Sequence, residues 1–122
     1  MGLEFEELSS KVIKAAIEVH KKLGPGFLES LYQRALMIQL EKDGLRVTTQ
    51  NEIKIYYEGI EMGTHRLDLL VEGQIIVELK VIKEIADIHI AQLVSYLKAT
   101  GLKIGLLLNF AKPTLEIKRV VN

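Results

Sequence analysis

The chain has 122 residues, 16 basic and 16 acidic, with no cysteine and no tryptophan. That length predicts one domain over residues 1–122, because two independent cores would each be marginally small. Zero net charge excludes a generally basic nucleic-acid binder, and the lack of cysteine excludes a disulfide framework, a thiolate nucleophile and a cysteine-based zinc site. In chain order, the first 23 residues read as an amphipathic helix, with Phe5, Leu8, Val12, Ala15, Ala16, Val19 and Leu23 recurring at three- and four-residue steps. Gly24, Pro25 and Gly26 break it. A second helix is predicted over 27–43, with Leu28, Leu31, Ala35 and Ile38 on one face and Gly44 as its stop. Gly26 is placed as its N-cap and Glu29 at the capping-box position.

From Val47 the apolar period becomes two. Strands are predicted over 53–57, 62–71 and 74–81, with Glu72 and Gly73 turning between the last two. A third helix follows over 83–100 and stops at Gly101. Residues 104–109 are nearly all apolar, as in a strand buried on both faces, and 115–121 form either an edge strand or a short terminal helix. The layout is α/β with a mixed sheet. No apolar stretch is long enough to span a membrane and the first residues lack a basic leader, so the cytoplasm is the expected compartment.

The charges in the strands are informative. Alternation sends Leu67, Leu69 and Val71 to the core and Arg66, Asp68 and Leu70 to the other face. On the next strand Val77, Leu79 and Val81 face the core, while Ile76, Glu78 and Lys80 face away. A three-residue loop pairing Val71 with Ile75 puts Asp68 opposite Glu78 and Arg66 opposite Lys80. Opposed carboxylates, with Cβ atoms about 4.5–5.5 Å apart, repel each other. A divalent cation gives them a reason to meet, since Mg²⁺ prefers carboxylate and phosphate oxygens. Lys80 would then stabilise charge on a scissile phosphate. A plain solvated strand face has the same pattern, and exposed pairs there contribute little. Leu70 and Ile76 make the face partly apolar, which predicts a cover over it and charges that are paired or metal-bound.

Glu29 and Tyr32, three apart, read either as a helix start whose carboxylate complements the dipole or as a pair aimed at a site. Gln92 and Tyr96, one turn apart, suit a polar helix edge or a grip on phosphate, with His89 bordering the same place. His65 lies an odd number of positions from Asp68 and is expected on the opposite face. His20 is expected to cap or hydrogen-bond rather than to hold a metal.

Taken in order, Gly26-x-x-Glu29-x-x-Tyr32, Asp68, Glu78-x-Lys80 and Gln92-x-x-x-Tyr96 resemble the GxxExxY proteins of the PD-(D/E)XK nuclease superfamily. The resemblance runs along essentially the whole chain, through Leu23-Gly24-Pro25-Gly26, Asn109-Phe110 and Lys118-Arg119, although Leu67 stands where the superfamily motif has proline. It implies a restriction-endonuclease-like mixed β-sheet flanked by helices. It also implies a metal-dependent nuclease that hydrolyses phosphodiester bonds of DNA or RNA with a metal-activated water. In that family Asp68, Glu78 and the main-chain carbonyl of Leu79 would hold Mg²⁺ or Mn²⁺, with Glu29 reaching the metal or its water from the helix. Lys80 would activate the water, and Gln92 and Tyr96 would position the phosphate.

Tyr32, Gln92, Tyr96, Lys118 and Arg119 are the expected substrate contacts. Over the last 25 residues five basic side chains stand against Glu116 alone, a pattern suited to a phosphate backbone or to a solvated face. The alternative is a nucleic-acid- or protein-binding module on the same fold with little or no catalysis. A homodimer is expected by analogy only.

Overall fold

The helical spacing of the N-terminal apolar residues produces α1 (Phe5–Leu23) in the computed structural model, which describes residues 5–122. Leu8, Val12, Ala15, Ala16 and Val19 are buried, and Phe5 lies at the surface. Residues 1–4, included in this helix by the sequence pattern, lie outside the described residues.

α2 (Glu29–Lys42) buries a different face from the one predicted. Tyr32, Leu36 and Leu40, at four-residue spacing, are fully buried, whereas Leu28 and Ile38 are 77% and 59% exposed. The cause is Tyr32. Its ring stacks on Phe110 with centroids 4.6 Å apart, and its hydroxyl donates to the Gly24 carbonyl. A buried ring with a satisfied hydroxyl outweighs an exposed leucine stripe, so the helix turns Tyr32 inward. Leu28, not Gly26, occupies the N-cap, without a side-chain cap.

β1 (Val47–Thr49), β4 (Leu69–Val71), β5 (Ile75–Lys80), β6 (Ile104–Asn109) and β7 (Glu116–Val121) form one sheet in the order β1-β4-β5-β6-β7. β2 (Glu52–Tyr57) and β3 (Ile60–Arg66) pair separately as a hairpin. The single strand predicted over 62–71 is therefore two, broken at Leu67 and Asp68. There the Leu67 N–H donates to the Asn51 carbonyl, and the Gln50 N–H donates to the Leu67 carbonyl. This swings the hairpin away from the five-stranded sheet. Arg66 consequently pairs with Glu52, at 3.6 Å, and not with Lys80. Leu67 likewise moves to the core on the opposite side of the sheet from Leu69.

α3 (Asp87–Thr100) connects β5 to the parallel strand β6. It ends at Gly101, whose φ of 75° is the left-handed cap conformation that glycine adopts without strain. β6 is buried along its length, as its composition predicts, and the C-terminal segment is an edge strand antiparallel to it. Both faces of the sheet are covered. On one side α1 and α2 pack against Leu69, Val71, Val77, Leu79, Leu106 and Leu108. On the other, Ile53 of the hairpin and Leu93 and Leu97 of α3 pack with Ile76, Leu107 and Val120, which is the cover that Leu70 and Ile76 called for. A Cβ on Gly105 would lie 2.7 Å from the Leu93 side chain, so glycine there lets α3 seat on β6. Among the described residues no helix is long and apolar enough to cross a membrane.

Candidate active site

The Glu72–Gly73 turn sets the register that builds the site. Val71 pairs with Ile75 and Leu69 with Val77, so one step beyond β4 Asp68 comes opposite Glu78. Backbone groups lock the two together. The Asp68 N–H donates to Glu78 Oε2, and the Leu79 N–H donates to Asp68 Oδ2, both at 2.9 Å. From α2, Gln33 Nε2 donates to the Asp68 carbonyl at 3.1 Å.

The strand break also leaves a carbonyl without its ladder partner. The Lys80 carbonyl accepts the Phe110 N–H on the β6 side, so alternation points the Leu79 N–H and carbonyl to the β4 side. Continuing the ladder would bring the Leu67 N–H to the Leu79 carbonyl, but that N–H bonds Asn51 instead. The Leu79 carbonyl is thus directed beside Asp68 and released from the sheet.

Glu78 is 5% exposed, and its pKa is pushed up to about 8, first by burial and then by the charge of Asp68. The hydrogen bond from the Asp68 N–H and the charge of Lys80 act the other way. Glu29, at the start of α2, also has a raised pKa, from burial and then Asp68, with Lys80 opposing. Lys80 therefore lies within the field of both Glu29 and Glu78, yet among the described residues it forms no ion pair.

The structure adds a residue that strand alternation assigned to the wrong side. His65 sits at the end of β3, and because the chain breaks before Asp68, parity counted along one strand fails. His65 Nε2 shares a hydrogen bond with Glu78 Oε1 at 3.1 Å, and its ring stacks on Tyr96 with centroids 3.9 Å apart. Burial lowers the His65 pKa and raises that of Glu78, each in the direction that disfavours the charged form. The stack places Tyr96 beside the carboxyls, and its pKa is raised by burial and then by the charges of Glu78 and Asp68.

Other expected contacts are not brought together. Tyr32 is fully buried, with its hydroxyl committed to the Gly24 carbonyl and accepting the Phe27 N–H, so it cannot reach a substrate. Gln92 stands exposed on α3, one turn before Tyr96. His89 Nδ1 accepts the Ala86 N–H and caps α3 rather than bordering the carboxyls. The register Glu78–Leu107–Lys118 puts Lys118 on the site's face of the sheet, while Arg119, paired with Leu106, points to the opposite face. His20 is a hydrogen-bonding residue, donating from Nε2 to the Lys112 carbonyl at 2.8 Å.

The donor set fits a hard divalent cation. It consists of two carboxylates and a carbonyl, all oxygen, which suits Mg²⁺ or Mn²⁺ over thiolate-seeking metals. Among the described residues no three His, Cys, Asp or Glu side chains gather as a metal-binding group. Mg²⁺ commonly uses only one or two carboxylates, its remaining ligands being waters and substrate phosphate.

No curated protein and no solved structure matches the chain. A model of the PD-(D/E)XK nuclease superfamily matches residues 6–120, a span that takes in both carboxyls of the pair, Lys80 and every element of the sheet except the last residue of its edge strand. The chain belongs to the PD-(D/E)XK nuclease superfamily.

Proposed function

We propose that the protein is a metal-dependent nuclease that hydrolyses phosphodiester bonds of DNA or RNA at the Asp68–Glu78 pair. The observation that carries this reading is the pair itself: two carboxyls held side by side by reciprocal backbone hydrogen bonds, one of them buried. Such an arrangement is costly until a cation or a proton neutralises it. Asp68, Glu78 and the Leu79 carbonyl would hold Mg²⁺ or Mn²⁺, with Glu29 reaching it through water. The chemistry a bound divalent cation supplies is polarisation of the phosphate and neutralisation of its developing charge.

The chain's own groups do the rest. Lys80, which forms no ion pair among the described residues, would bring its ammonium to the growing phosphate charge. Tyr96, kept protonated by its raised pKa, offers a hydroxyl donor to phosphate or water beside the carboxyls. Gln92, exposed one turn before Tyr96 on α3, would contact the nucleic-acid strand, and Lys118 would meet its backbone.

The test is incubation with single- and double-stranded DNA and RNA in Mg²⁺, Mn²⁺ or EDTA, beside Asp68→Asn and Lys80→Met. Cleavage in metal should fall about 100-fold or more in either variant. Cleavage that persists in both, or that survives EDTA, would defeat the proposal. Salt-sensitive binding without cleavage would point to a binding module on the same fold.

A further inference from the structure

We infer that His65 is a positioning residue, fixing the Glu78 carboxylate so that it and Asp68 present their oxygens to one divalent cation; this rests on the reading of that pair as a cation site. The Glu78 side chain is 7% exposed, so solvent offers little to orient it. The Asp68 N–H anchors Oε2, and His65 Nε2 is the group that meets Oε1. One hydrogen bond leaves a carboxylate free to turn about its anchor. Two, one on each oxygen, fix its plane and hence the direction of the remaining lone pairs.

His65 is itself held. Its ring lies on Tyr96 at an interplanar angle of 13°, which settles the ring's plane and brings Nε2 to Glu78. When Glu78 is ionised, the Nε2–H donates to Oε1. The hairpin thus supplies a hydrogen bond that neither β5 nor α3 provides, and outer partners of this kind tune metal ligands.

Two substitutions separate the two contacts. His65→Phe keeps a ring for Tyr96 and loses the nitrogen; His65→Gln keeps an N–H donor and loses the ring. Calorimetric titration with Mn²⁺ alone, on the metal-free full chain, compares both with wild type and Asp68→Asn. The expected result is a 10- to 100-fold weaker Mn²⁺ affinity for His65→Phe, with His65→Gln within about threefold of wild type. Wild-type affinity in His65→Phe, or equal losses in both variants, would overturn the inference while leaving the cation site standing. If His65→Phe does not unfold cooperatively, His65→Gln decides: near-wild-type affinity supports the positioning role, and affinity as low as Asp68→Asn defeats it. Absence of any Mn²⁺ binding that Asp68→Asn removes would overturn the cation reading, and this inference with it.

Discussion

A carboxyl that is 5% exposed and faces a second carboxyl must keep its proton or find a cation. Glu78, with its pKa raised to about 8 from 4.5, keeps the proton in the metal-free fold and releases it in the unfolded chain across that interval. The folded state therefore binds more protons there, and stability falls as pH rises. The contribution is fully present below about pH 4.5 and is lost through about pH 8. His65, whose pKa is lowered, contributes in the opposite sense around its ordinary value, so the comparison must be with a variant. The melting midpoint of metal-free wild type is expected to drop by on the order of 5 °C more than that of Glu78→Gln between pH 5 and pH 9. Parallel pH–melting curves would refute this. The opposition of Asp68 and Glu78 was legible in the sequence because strand parity and an odd loop determine it. His65 was not, because parity cannot be counted across a break whose cause is a hydrogen bond to Asn51.

At the scale of elements, Tyr32 couples α2 to the Gly24–Gly26 turn and to Phe110 at the end of β6. Its phenol ties backbone together and leaves no atom for substrate. Tyr32→Phe should therefore cost about 1 kcal/mol in urea unfolding, with Mn²⁺ affinity and any cleavage unchanged. A loss of nucleic-acid binding at unchanged stability would restore Tyr32 to the substrate contacts. The helix was predictable, and its buried face was not. α2 carries two apolar stripes, Leu31 with Ala35 and Ile38, and Tyr32 with Leu36 and Leu40. Local periodicity cannot choose between them, because the deciding partner, Phe110, lies far along the chain. The third helix posed no such choice: its stop at Gly101 and its place between parallel strands follow from the local pattern.

For the whole molecule, the balance of 16 basic and 16 acidic residues means that electrostatic binding must come from where charges sit and not from their sum. The register puts Lys118 on the same face as Glu78, two strand spacings or about 9.5 Å across the sheet. Arg119 faces the other way, a separation that a run of adjacent basic residues conceals. Nucleic-acid affinity measured against salt should lose about one unit of log–log slope in Lys118→Ala and almost none in Arg119→Ala. Equal effects would mean that this face is not the track of the backbone. The sheet and its covering layers also impose a hierarchy of local opening. Amides of β5 and β6, enclosed between helices, are expected to exchange with solvent only when the fold as a whole comes apart. Those of β2 and β3, bonded to each other and largely exposed, are expected to exchange sooner, by local opening of the hairpin. Because His65 rides on that hairpin, any opening of β2 and β3 would lift it off Glu78, so the assembly of the candidate site depends on an exposed two-stranded element.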